Sequence, residues 1–92
     1  MLIDPTYDVY MYNEIAAKRK AKLTSILLTH YHADYVAGHT EFNLPIIMGP
    51  KAKRSETPFK LFEMQDAYTF NLGSIWLKVL HTPGHTPESS CF

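Results

Sequence analysis

One cysteine, Cys91, is all this sequence offers to disulfide chemistry. A lone thiol rules out an internal disulfide framework and suits a reducing compartment. Net charge is also lacking. Nine Lys and Arg balance nine Asp and Glu, so no global field favours nucleic acid or a membrane surface. No run approaches the ~18 apolar residues of a membrane span. Met1 opens on neither a basic, apolar signal peptide nor an Arg-rich transit peptide, so a cytoplasmic or mitochondrial-matrix location is expected. Repeats, linkers and low-complexity tracts are missing too, and residues 1–92 are expected to form a single domain. Core material is plentiful: 46% of the 92 residues are apolar and 13% aromatic. A chain of this length buries only about 60–65% of its unfolded surface.

The stretch Ile26-Leu27-Leu28-Thr29-His30-Tyr31-His32-Ala33-Asp34-Tyr35 dominates the chain. Ser25 to Leu28 is apolar and short, as a buried strand is. If the chain stays extended past Thr29, His30 and His32 point to one side, and Asp34 continues the spacing. Two imidazoles and a carboxylate then meet at the end of a buried strand, where open α/β sheets hold their ligands. A divalent transition metal suits that set. A second histidine segment follows much later, in Leu80-His81-Thr82-Pro83-Gly84-His85-Thr86-Pro87. There Pro83 fixes φ and Gly84 permits a positive φ, so a rigid bend is expected to aim His85.

The remaining segments supply a scaffold. Leu2-Ile3 ends a strand, and Asp4-Pro5-Thr6 turns out of it. Asp8 is the expected cap of a helix whose apolar stripe is Val9, Tyr12, Ile15 and Ala16. Lys18, Arg19, Lys20 and Lys22 gather at its C-terminal end, complementing the helix dipole rather than marking a nucleic-acid surface. The strand over Leu23 to Leu28 completes a βαβ unit, whose two strands are expected to be parallel. Tyr35 to Phe42 is expected to open a short helix capped by Asp34, with Gly38 allowing close packing and His39 behind the site or on the surface. Pro45 to Met48 and Phe59 to Met64 are further strands, separated by a surface loop or short helix over Lys51 to Pro58. Tyr68 to Leu72 and Ser74 to Leu80 form a hairpin about Gly73. In it Ile75, Leu77 and Val79 share one face, and Trp76 is expected to pack.

The segments Thr29-His30-Tyr31-His32-Ala33-Asp34-Tyr35 and Thr82-Pro83-Gly84-His85-Thr86 together resemble the metallo-β-lactamase superfamily, whose pattern is Thr-His-x-His-x-Asp-His followed by a Gly-His turn. With Ile3-Asp4-Pro5, Thr29 to Gly38 and His81 to Ser89, the likeness narrows to the branch of persulfide dioxygenases and their rhodanese-fused relatives. The fold it implies is α/β: part of an αββα sandwich, with an N-terminal βαβ unit followed by mostly antiparallel strands. Two departures stand out. Tyr35 occupies the place of the pattern's last His, a ligand of a second metal, and a phenol is a poor substitute for a neutral imidazole. The pattern's later aspartate and final histidine fall beyond Phe92, and its first strands before Met1. The resemblance therefore implies the middle of a larger domain, incomplete by itself as an enzyme, with a partner chain or second copy able to cover missing strands.

The resemblance assigns metal positions to His30, His32, Asp34 and His85, with Asp34 also catalytic. His30 and His85 match the ligands of a mononuclear Fe(2+), and His32 and Asp34 orient them or serve as auxiliary ligands. The implied reaction is oxidation of a thiol persulfide, such as glutathione persulfide, to sulfite. Zn2+ is the alternative metal, and hydrolysis of a glutathione thioester is the alternative reaction. There His30, His32 and His85 would form one site and Asp34 part of another. A folded, non-catalytic segment serving assembly is the third reading.

Overall fold

The computed structural model of the chain describes residues 1–32, 38–52 and 60–92. Four short strands, β1 (Leu2–Ile3), β2 (Ile26–Leu28), β3 (Ile46–Met48) and β4 (Leu61–Glu63), pair side by side in that order among the described residues. Every pairing is parallel, with Leu2 opposite Ile26, Ile26 opposite Ile46, and Ile46 opposite Leu61. The βαβ unit is therefore present, and the parallel part runs two strands beyond it. Antiparallel pairing begins only with β5 (Thr69–Leu72) against β6 (Ile75–Lys78), and β7 (Leu80–His81) against β8 (Ser90–Cys91).

Burial explains the parallel centre. Ile26, Leu27 and Leu28 are 0% exposed, the continuous apolar run of a strand covered on both faces. One face carries Ile26, Leu28, Ile46, Met48 and Leu61 into a cluster with Phe42 and Ala52. Helix α1 (Val9–Lys18) lies on that cluster through Val9 and Tyr12, and the Tyr12 and Phe42 rings meet edge-on at 5.6 Å. Asp8 caps α1, accepting from Met11 N–H at 2.9 Å. The helix ends in a Schellman arrangement, Ala21 N to Ala16 O and Lys20 N to Ala17 O, with Lys20 in the left-handed region at φ 50°.

Two expectations need correction. Ile15 is 46% exposed, and α1 packs on the core only through the partly buried Val9 and Tyr12, a narrower stripe than its periodicity implies. Trp76 and Ile75 are 67% and 63% exposed rather than packed, whereas Val79 is fully buried. His39 is buried, on a 3-10 turn over His39–Glu41. The expected helix start at Tyr35 and nearly all of the loop over Lys51 to Pro58 lie outside the described residues. No described helix is long and apolar enough to cross a membrane.

Gly38 shows why a glycine precedes the 3-10 turn. A Cβ there would collide with the backbone carbonyl oxygens of Thr6 and Pro5, in the turn that leaves β1. Backbone cannot swing aside as a flexible side chain can. Gly38→Ala is expected to lower stability by about 1–3 kcal/mol, seen as a fall in the urea midpoint at unchanged m-value.

Candidate metal centre

The site forms where the parallel strands end. β1 and β2 deliver their C-terminal residues to the same edge, the usual place for ligands in such sheets. Just past β1, Asp4 takes a left-handed backbone at φ 44°, a conformation Asp tolerates better than most residues. Its Oδ1 accepts from Thr29 N–H at 2.9 Å, and its Oδ2 accepts from the Thr29 hydroxyl at 2.7 Å. The same hydroxyl oxygen lies 3.0 Å from His30 Nδ1.

This chain of contacts fixes a tautomer. Thr29 has one hydroxyl proton, and a carboxylate can only accept. With that proton given to Asp4, the Thr29 oxygen must accept from His30 Nδ1–H. The lone pair of His30 therefore sits on Nε2, which is buried. A metal ligand needs that arrangement: one ring nitrogen held as a donor, the other carrying the lone pair.

His85 arrives on the loop between β7 and β8. Gly84 does not adopt a left-handed backbone, and a Cβ there would meet nothing within 4 Å. The expectation that Gly84's freedom aims His85 is thus overturned. Hydrogen bonds hold the loop instead. Thr82 N reaches Ser89 O at 2.9 Å, Thr86 N reaches Ser89 Oγ at 3.1 Å, and the Thr86 and Ser89 hydroxyls lie 2.7 Å apart. Two bonds dock the loop and the start of β8 on the segment that follows β2: Ser90 N to Thr29 O at 2.8 Å, and Tyr31 N to Glu88 Oε1 at 3.0 Å. Gly49, after β3, leaves room for Ser90, whose Oγ a Cβ would strike.

These contacts bring His30, His32 and His85 together. Their ring centroids are 5.1 Å (His30–His32), 5.0 Å (His30–His85) and 4.4 Å (His32–His85) apart. One nitrogen from each lies within 4.8 Å of the others. His30 and His32 are half-buried and His85 is exposed, so the cluster opens to solvent on the His85 side. Three imidazoles facing one point, with a fixed lone pair on one of them, form a donor set that fits a divalent transition metal.

Two carboxylates back this set without joining it. Asp4 acts through Thr29, as above. Burial alone would raise the Glu88 carboxyl. The backbone N–H groups of Tyr31 and of Glu88 itself, the Thr86 hydroxyl and the nearby His30 outweigh it and hold the group below its usual range. Neither Asp4 nor Glu88 has a local signal in the sequence that assigns it this part. Asp34 and Tyr35 lie outside the described residues. His81 stays out of the cluster: its Nε2 lies 2.8 Å from Pro87 O, and its N–H donates to Asp66 Oδ1 at 2.9 Å. The His81 and Ala67 backbone N–H groups hold the Asp66 carboxyl below its usual value.

The fold has counterparts among known proteins. No family model matches the chain. A metallo-β-lactamase from Staphylococcus aureus subsp. aureus COL superposes on 96% of the chain with a TM-score of 0.75 and 33% identity, across 29% of its own length. ETHE1 from Myxococcus xanthus superposes equally well, at TM-score 0.75 and 22% identity, over 96% of this chain and 40% of that one. This chain belongs to the metallo-β-lactamase superfamily. Curated relatives point the same way. The hydroxyacylglutathione hydrolase of Francisella tularensis subsp. novicida is 35% identical over the whole chain, and that of Rhizobium etli 36% identical over 86% of it. The chain spans 37% and 32% of the length of those two relatives. The αββα expectation is met: a parallel N-terminal sheet and antiparallel hairpins form part of a metallo-β-lactamase fold.

Proposed function

We propose that this chain supplies the histidine face of a single-metal site acting on the sulfur of glutathione derivatives, with a persulfide as substrate and dioxygen as oxidant. The observation that carries the reading is the convergence of His30, His32 and His85 on one point. Tyr35 supports one metal over two, because a phenol replaces the imidazole a second ion would need. The resemblance of Thr29 to Gly38 and His81 to Ser89 to the persulfide dioxygenase branch is what favours iron.

In this proposal His30, His32 and His85 hold the ion, and Asp4 and Thr29 keep the His30 lone pair on Nε2. The bound ion supplies Lewis acidity and, as iron, the redox partner that dioxygen requires. The overall change balances as persulfide plus dioxygen plus water giving sulfite plus the free thiol. The exposed His85 side leaves the edge through which a small thiol derivative enters.

A second reading has its own support. The two curated relatives are named hydroxyacylglutathione hydrolases, and His32 lies nearer His85 than His30 does, a three-imidazole set that also suits zinc. Metal titration separates the two. Fe(2+) is expected to saturate at one equivalent per chain, and the iron-loaded full-length protein to consume oxygen and release sulfite from glutathione persulfide. Two tightly held zinc ions, with cleavage of a hydroxyacyl thioester and no oxygen uptake, would sink the dioxygenase reading. Tyr35→His is expected to raise the metal capacity from one toward two.

A further inference from the structure

We propose that Glu88 is a positioning residue for the metal centre: its carboxylate straps the backbone of the His30-Tyr31-His32 segment to the loop that carries His85. The proposal rests on the metal reading of the three histidines, though not on which reaction follows.

The geometry is specific. Glu88 Oε1 accepts from Tyr31 N–H at 3.0 Å, across 57 residues of sequence. Tyr31 sits between two of the three clustered histidines, so the position of its peptide sets where both imidazoles start. Glu88 sits three residues after the third. One hydrogen bond therefore ties the two segments whose separation decides whether three nitrogens can share an ion.

Glu88 is itself held in place. Its carbonyl accepts from Ser90 Oγ at 3.1 Å, and Ser90 N–H donates to Thr29 O at 2.8 Å. Ser90 is buried against Gly49. The strap thus has a rigid foot on β3 and β8 and a rigid target beside β2. A hydrogen bond to an ionised acceptor is about twice as strong as a neutral one.

A positional role and a purely electrostatic one make opposite predictions for two variants. Glutamine keeps length and an acceptor oxygen but loses the charge. Aspartate keeps the charge but falls short of Tyr31 by one methylene. Co(II) is the probe, its affinity read by competition with a chromophoric chelator and its geometry by the visible d–d spectrum. Glu88→Ala and Glu88→Asp are each expected to weaken Co(II) binding about 10–100-fold and to change the spectrum, whereas Glu88→Gln stays within about threefold with the native spectrum. Tight Asp and weak Gln binding would overturn the proposal in favour of charge alone. Equal affinity in all the variants and the native chain would also overturn it, leaving the metal reading intact. Should Glu88→Ala not fold, the Gln and Asp pair decides alone. A native chain that binds no Co(II) overturns the metal reading and this proposal with it.

Discussion

His85→Ala is expected to weaken Zn(II) or Co(II) binding by more than about 100-fold, beyond the 10–100-fold typical of groups that only support a ligand. The same substitution is expected to move the metal-free thermal midpoint very little, because His85 is exposed and exposed substitutions usually stay within about 0.5 kcal/mol. This separation makes His85 more informative than its two partners. His30 is tied to Thr29, and His32 is half-buried, so truncating either mixes lost ligation with lost packing. His81→Ala is the matched control. That ring binds Pro87 O rather than the cluster, so its loss is expected to cost up to about 1 kcal/mol of stability while leaving metal affinity near native. The measurement is a competitive titration alongside a thermal melt. Near-native affinity in His85→Ala would show that the second histidine segment does not complete the site.

Much of this was legible in the sequence because it is local. A short apolar run followed by histidines at alternate positions places two imidazoles on one side of an extended segment, whatever the rest of the chain does. The cap at Asp8 and the hairpin about Gly73 are likewise written in one or a few neighbouring residues. What failed was whatever depends on distant chain. Periodicity gave α1 a stripe but could not say that the packing surface stops short of Ile15. Alternation put Trp76 on a sheet face without supplying anything to cover it. The Pro83-Gly84 pair suggested a strained bend, whereas the loop is held by hydrogen bonds from Thr82, Thr86, Ser89 and Ser90. Asp4 and Glu88 lie 25 and 57 residues from the groups they hold. An Asp after a strand and a Glu in a loop are common, and nothing in their immediate neighbours singles these two out.

Asp4→Asn is expected to weaken metal binding about 10–100-fold while changing the backbone very little. The substitution suits the question because Asn tolerates the left-handed conformation at φ 44° as readily as Asp. Its Oδ1 can still accept from Thr29 N–H, preserving the link between β1 and β2. The other side-chain atom, however, becomes an NH2 group, a donor where Oδ2 had been an acceptor. Facing that donor, the Thr29 oxygen must accept, and its single hydroxyl proton turns toward His30 Nδ1, 3.0 Å away. Nδ1 then carries the lone pair, and the proton moves to Nε2, the nitrogen that has to bind the ion. Metal binding must reverse this tautomer against the hydrogen-bond network, and affinity falls accordingly. Nitrogen-15 NMR of the metal-free protein reports the tautomer directly: Nε2 unprotonated in the native chain, Nε2 protonated in Asp4→Asn. Thr29→Ser keeps the hydroxyl and is expected to retain both the native tautomer and the native affinity. Thr29→Val removes the hydroxyl and is expected to weaken binding together with Asp4→Asn rather than additively, since both act through the same proton. Unchanged affinity in Asp4→Asn, with the His30 tautomer reversed, would mean that the cluster does not depend on His30 Nε2.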